Sequence, residues 1–189
     1  FNFPLNIPIH KIGPAFAAGN AVLIKPSPKA PLTTSMLVAL FHQTGLPPGW
    51  LQLVHGGPKV VRALAKADVQ AVTFTGSSAV GHTIAKWAAG KKVVMELGGN
   101  GALVVCEDAD LEAACDTIVS HRFGYAGQRC TACKRALIQA PVYNQVRERV
   151  VRRVTELKVG DPLDETTKVG PLIDSESVQR VRDRLQQAL

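Results

Sequence analysis

Short β-rich runs alternate with helical stretches along the whole chain, and this alternation leaves few folds open. Residues 21–25, 50–54, 71–75 and 92–96 have the apolar, β-branched and aromatic content of strands. Between them, residues 33–44, 58–67 and 77–89 carry helical patterns. A strand followed by a helix and another strand returns the chain to the same end of a sheet, so the strands run parallel with helices on both faces. Gly45-Leu46-Pro47-Pro48-Gly49 closes one helix, and Gly56-Gly57-Pro58 opens the next with proline in its first turn.

A second series follows Gly99: strand 102–106, helix 111–123, a loop, strand 135–139, helix 142–157, a polar connection over 160–171 and a last helix from about Ser175. The expected division is therefore residues 1–98 and 99–189, meeting near Gly98-Gly99. No internal repeat or low-complexity tract interrupts either part. The last helix runs to Leu189 without a cap, which gives the expectation of a truncated chain.

At 189 residues, 46% hydrophobic and 20% charged, the chain has the composition of a globular protein. No apolar run approaches the roughly 20 residues that span a bilayer, so no membrane partner is expected. The formal charge of +7 raises the question of nucleic acid. The arginines concentrate on two amphipathic stretches, where Arg147, Arg149, Arg152, Arg153, Arg180, Arg182 and Arg184 alternate with Val146, Val150, Val154, Val181 and Leu185. No aromatic residues interleave for base stacking, so these are read as solvated helix faces and no nucleic-acid partner is expected. Cysteine usage argues for a reducing compartment, the cytoplasm. Cys106 and Cys115 are expected to pack as small apolar groups. Cys130 and Cys133 form a Cys-X-X-Cys pair, but no second pair or suitably spaced histidines complete a metal site, so the expectation is one reactive thiol beside a bystander and no metal.

Two glycine-flanked turns carry the chemistry. Glu96 stands in Glu96-Leu97-Gly98-Gly99-Asn100, and Cys130 lies 34 positions later (130 − 96) in Gly127-Gln128-Arg129-Cys130-Thr131-Ala132. A nucleophilic sulfur needs a loop that exposes it and a base to serve it, and this pair offers both. With the opening Phe1-Asn2-Phe3-Pro4, the two motifs resemble the aldehyde dehydrogenase superfamily in order and in spacing. The resemblance covers essentially the whole chain.

That resemblance implies a Rossmann-like dinucleotide-binding part in 1–98 and part of a second, cysteine-bearing α/β catalytic domain in 99–189. It implies oxidation of an aldehyde to a carboxylic acid with NAD or NADP. Cys130 would be the nucleophile, the side-chain amide of Asn2 and the backbone amide of Cys130 the oxyanion donors, and Glu96, partly desolvated at the end of an apolar strand, the base for thioester hydrolysis. Lys11 matches a family lysine near the site.

For the cofactor, Phe74-Thr75-Gly76-Ser77-Ser78-Ala79-Val80-Gly81 follows a strand and opens a helix, and free amides at a helix start suit phosphate. Gly76, Ser77, Gly81 and Leu97 are the candidates there, with Lys25 and Ser27 on the adenosine ribose. Members preferring NAD often carry a glutamate where this chain has Pro28, followed by Lys29, so NADP and NAD both stay open.

Arg129, directly before the nucleophile, is reminiscent of members acting on anionic aldehydes such as glyceraldehyde 3-phosphate or phosphonoacetaldehyde. It either holds an anionic tail or turns away into a salt bridge. Family members are longer, so the chain is expected to be an internal fragment of a homodimer or homotetramer. Two alternatives stand beside the main reading: an inert fragment acting as a structural or interaction module, and a CoA-acylating member.

Overall fold

Proline and cap residues set most of the helix starts. In the computed structural model, which describes residues 1–189, Pro31 and Pro58 open α2 (Pro31–Gln43) and α3 (Pro58–Lys66). Ser77 caps α4 (Ser78–Trp87), Asp110 caps α5 (Leu111–Phe123) and Asp174 caps α7 (Ser175–Ala188). Each cap oxygen accepts an amide that the first helical turn leaves unpaired. The chain forms two compact units, Phe1–Gly98 and Gly99–Leu189.

In the first unit, α1 (Asn6–Ala17) precedes β1 (Val22–Ile24), and α2 leads to β2 (Leu51–Leu53). Then α3 leads to β3 (Ala71–Thr75), and α4 leads to β4 (Lys92–Glu96). The strands are parallel, as expected, but they form two ladders and not one continuous sheet: β1 pairs with β2 and β3 with β4. The crossovers through α2 and α4 return the chain to the neighbouring position, whereas α3 carries it to a separate ladder.

Alternation along the strands decides which face is covered. Val72, Phe74, Val93 and Met95 pack against Ala65, Ile84 and Ala88 of the α3–α4 side. Ile12 of α1, Leu37 and Val38 of α2 and Leu51 of β2 form the other core of this unit. Burial of each such aliphatic side chain contributes about 1.5–3 kcal/mol before entropy is counted. On the opposite face of β3, the Lys11 ammonium of α1 donates to Thr73 Oγ1 at 2.6 Å.

The first helix is a feature the sequence reading did not anticipate. Pro14 lies inside α1 and argues locally against a helix. Complete burial of Ile12 in the α1–α2 core outweighs that local preference.

In the second unit, β5 (Ala102–Val105) pairs in parallel with β6 (Arg135–Ile138). Helices α5 and α6 (Tyr143–Thr155) cover the ladder through Val105, Cys115, Ile118, Val142 and Val146. Arg149 and Arg153 of α6 clasp Glu112 of α5, and Arg153 also bonds Asp116 at 2.8 Å. On the other face, Val104 and Leu137, which are register partners, stay exposed. Cys115 is buried as expected, and burial pushes its thiol above the ordinary range. Cys106, expected to pack, is exposed just beyond β5. No helix is long and apolar enough to cross a membrane.

Candidate active site

Parallel register brings most of the first unit's candidate residues to one kind of place, the carboxyl ends of the strands. In open α/β structures that is where ligands bind. Thr75 is the register partner of Glu96, so Gly76-Ser77 and Leu97 leave the β3–β4 ladder side by side. The Gly76 amide continues the ladder by donating to the Glu96 carbonyl at 3.1 Å. Ser77 then caps α4, accepting the Val80 amide at a long 3.5 Å. By helix geometry, the Ser78 and Ala79 amides have no intrahelical acceptor, and they are the donors an anion would meet.

Gly81 has a structural reason for being glycine. It is buried, and a Cβ there would lie 2.4 Å from Leu97 Cδ2, so α4 rests directly on the residue that follows Glu96. Its part in any cofactor site is to allow this approach. Gly81→Ala is therefore expected to cost about 1–3 kcal/mol by overpacking, read as a lowered melting temperature. Leu97→Ala in the same chain should recover much of the loss, and an unrelieved double variant would mean that the contact is not the cause.

At the β1–β2 ladder, Lys25 follows the strand end and its ammonium donates to the carbonyls of Pro26 at 2.5 Å and Gly56 at 3.2 Å. Burial lowers its pKa from 10.5. Ser27 Oγ accepts the Lys29 amide at 3.2 Å and so shapes the turn leaving β1. Lys25 and Ser27 thus sit at the carboxyl end of one ladder, and Gly76, Ser77, Glu96 and Leu97 at that of the other.

Glu96 departs from expectation. Lys92, Val94 and Glu96 point to the uncovered side of β4 while Val93 and Met95 point to the core, so Glu96 is exposed and its apolar neighbours in sequence face away from it. A period of two places alternate residues on opposite faces, and an apolar neighbour in sequence is therefore not a neighbour in space. Lys11 lies within electrostatic reach of Glu96. Burial lowers the Lys11 pKa from 10.5, and the negative charge of Glu96 offsets part of that effect. Asn2 is half-buried ahead of α1, in a segment fastened to α2 by the Thr34 hydroxyl donating to the Pro4 carbonyl at 3.0 Å.

The Lys11 shift has a testable sign. Between its lowered folded value and 10.5, the unfolded chain binds more protons than the folded one, so stability rises as pH climbs through that window. Denaturant melts should show this alkaline rise in the wild type and its loss in Lys11→Met. Identical pH slopes for the two proteins would remove the buried-ammonium explanation.

In the second unit, Cys130 is exposed, while Ala132 and Cys133 beside it are buried. The loop before it is strained: Tyr125 and Ala126 have φ of 61° and 54°, and Gly127 has φ of 70°. Left-handed backbone costs an L-residue about 1–2 kcal/mol each, and such strain persists only where other contacts hold it. Gln128 supplies them. Its Nε2 donates to the carbonyls of Tyr125 at 3.1 Å and Pro171 at 3.3 Å, and its Oε1 accepts the Ile173 amide at 2.9 Å. The side-chain amide imitates a peptide group and ties the Cys130 loop to the 171–173 segment.

Comparison with known proteins decides the family. The aldehyde dehydrogenase family model matches residues 1–189. The chain belongs to the aldehyde dehydrogenase family. A sulfoacetaldehyde dehydrogenase of Neptuniibacter caesariensis is 45% identical over 190 residues, which cover 100% of this chain and 42% of that protein. A glyceraldehyde-3-phosphate dehydrogenase of Methanocaldococcus jannaschii, solved with NADP, superposes with a TM-score of 0.91 at 38% identity, covering 98% of this chain and 42% of the other. A protein of Sinorhizobium meliloti described as a methylmalonate-semialdehyde dehydrogenase, solved with NAD, gives a TM-score of 0.93 at 33% identity, with 98% and 38% covered. The chain thus spans about two fifths of the length of the relatives it matches.

Two residues near Cys130 were not singled out in the sequence, Gln128 and Gly124. Gln128 reaches partners 43 and 45 positions away, which no local pattern reveals. Arg129, proposed as a candidate for a substrate anion, is directed elsewhere: its Nη2 donates to the carbonyls of Ser120 at 3.1 Å and His121 at 3.5 Å, at the end of α5.

Proposed function

We propose that the whole protein oxidises an aldehyde to its carboxylic acid through a covalent thioester on Cys130, with NAD or NADP as the hydride acceptor. The observation that carries this reading is the exposed Cys130 thiol at the end of a strained, side-chain-braced turn, in a chain of the aldehyde dehydrogenase family. The Cys130 thiolate adds to the carbonyl carbon, forming a C–S bond and moving negative charge to oxygen. Asn2 and the Cys130 amide are the donors assigned to that oxygen, each worth about 3 kcal/mol if removed. Loss of hydride from carbon leaves a thioester. Glu96 then takes a proton from water as it attacks, the C–S bond breaks, and the thiolate and the acid are released.

The residues present fit a dinucleotide. A serine-capped helix start offers its amides to the pyrophosphate, Gly81 lets that helix sit close to the strand end, and Lys25 and Ser27 stand at the other ladder's carboxyl end. The bound dinucleotide would supply the site that accepts the hydride. Lys11, in reach of Glu96 and Thr73, is assigned to electrostatic support of the base.

A small anionic aldehyde is the proposed substrate class. The three relatives described above are named for a sulfonated, a phosphorylated and a carboxylated aldehyde. A homo-oligomer in the cytoplasm is the proposed setting. The test is steady-state turnover of the whole protein on paired anionic and uncharged aldehydes with NAD and with NADP, with the product identified. Free acid formed without CoA is the expected result. An absolute requirement for CoA, with acyl-CoA as product, would overturn the role of Glu96.

A further inference from the structure

Arg129 and Cys130 are adjacent, yet they face opposite ways. The thiol is exposed, whereas Arg129 Nε is buried and Nη2 lies on the carbonyls of Ser120 and His121. Those carbonyls belong to the last turn of α5, where the helix dipole favours a cation. The rest of the loop converges on the same helix end: the Gly124 amide donates to Ser120 O, and the Cys133 amide donates to His121 O at 3.3 Å. The Arg129 carbonyl is held in turn by the Ala132 amide and the Lys134 ammonium, each at 3.3 Å.

Gly124 makes this arrangement possible. A Cβ there would lie 2.7 Å from Arg129 Nη2 and 3.3 Å from its Cζ, so a side chain at 124 would occupy the guanidinium's place. The backbone at Gly124 has φ of −52°, which any residue adopts, so the glycine serves the arginine and not the turn.

We propose that Arg129 is a positioning residue for Cys130, fastening the nucleophile loop to the carbonyl end of α5, and is not the ligand of a substrate's anionic tail. This rests on the reading of Cys130 as nucleophile. With Gln128 braced to 171–173 on one side and Arg129 fastened to α5 on the other, the thiol is carried by two anchored neighbours. Charge selectivity toward the substrate would come from other residues of the whole protein.

The test compares the whole wild-type protein with Arg129→Gln, Arg129→Lys, Gly124→Ala and the Arg129→Gln/Gly124→Ala double variant. The fraction of reactive Cys130 is read by iodoacetamide labelling and peptide mass, which separates it from the exposed Cys106, and kcat and KM are referred to that fraction with propanal and with succinate semialdehyde. Arg129→Gln is expected to lower kcat roughly 100-fold for both aldehydes, the scale of an ångström-sized misplacement of a reacting group, with the ratio of their kcat/KM values unchanged. Arg129→Lys should recover part of kcat, because an ammonium still reaches a carbonyl. Gly124→Ala keeps the charge but displaces the fork, so it should lower kcat in the wild-type background and do nothing further in Arg129→Gln.

A rise in KM confined to succinate semialdehyde in Arg129→Gln, with propanal turnover intact, would overturn the proposal in favour of an anion ligand. So would unchanged kcat for both aldehydes in Arg129→Gln and Gly124→Ala. If Arg129→Gln fails to fold, Gly124→Ala decides alone, since its clash is with the flexible end of a side chain. Undiminished turnover in Cys130→Ala would instead remove the nucleophile reading itself, which separates the two failures.

Discussion

Replacing Cys130 by alanine is expected to lower aldehyde-dependent formation of NAD(P)H at least roughly 1,000-fold, the scale on which enzymes lose turnover when a covalent nucleophile is removed. The thiol is exposed, so its loss leaves no cavity and the fold should be unaffected. Melting temperature and dinucleotide binding measured by fluorescence are therefore expected to match the wild type, while absorbance at the reduced-nicotinamide band stays flat. The neighbouring Cys133 is buried, with its sulfur against the Arg135 carbonyl at 3.3 Å, and cannot substitute. A Cys130→Ala enzyme that kept most of its turnover would exclude covalent catalysis at this position.

Glu96→Gln should produce the second-largest effect and a different signature. If the carboxylate serves only water attack, the first turnover survives and the thioester accumulates. Rapid mixing should then show a burst of one NAD(P)H per site, followed by a steady rate lower by roughly 100- to 10,000-fold, the range typical of a missing general base. Exposure of Glu96 on the uncovered side of β4 suits a group that must meet water. Loss of the burst as well would move Glu96 to an earlier step, and full steady turnover would release it from the mechanism.

Legibility in the sequence followed the range of the interactions involved. Helix α5 and strands β3 and β4 have the bounds their local patterns indicate, because an Asp cap, apolar periodicity and β-branched content act within a few residues. Helix α1 was missed because Pro14 carries the local signal while burial of Ile12 against α2 and β2 carries the energy. The strands run parallel as their alternation with helices indicates, and their division into two ladders, β1 with β2 and β3 with β4, depends on where each crossover returns the chain, which strand content does not encode.

Among the candidate site residues, the positions of Cys130, Glu96 and Ser77 in turns and at strand and helix ends were legible from local pattern, and their surroundings were not. Glu96 was expected among apolar neighbours and faces solvent, since strand alternation puts Val93 and Met95 on the other side. The directions taken by Gln128 and Arg129 depend on Ile173 and on the end of α5, which only the folded chain brings near.

The contact between Gly81 and Leu97 has a mechanical meaning. With no side chain at 81, the backbone of α4 bears directly on the residue after Glu96, and the Gly76 amide bonds the Glu96 carbonyl. The helix start that would cradle a pyrophosphate and the carboxylate that would deprotonate water are therefore bolted to one frame. Moving one without the other would break the Gly76–Glu96 hydrogen bond or open the contact between Gly81 and Leu97.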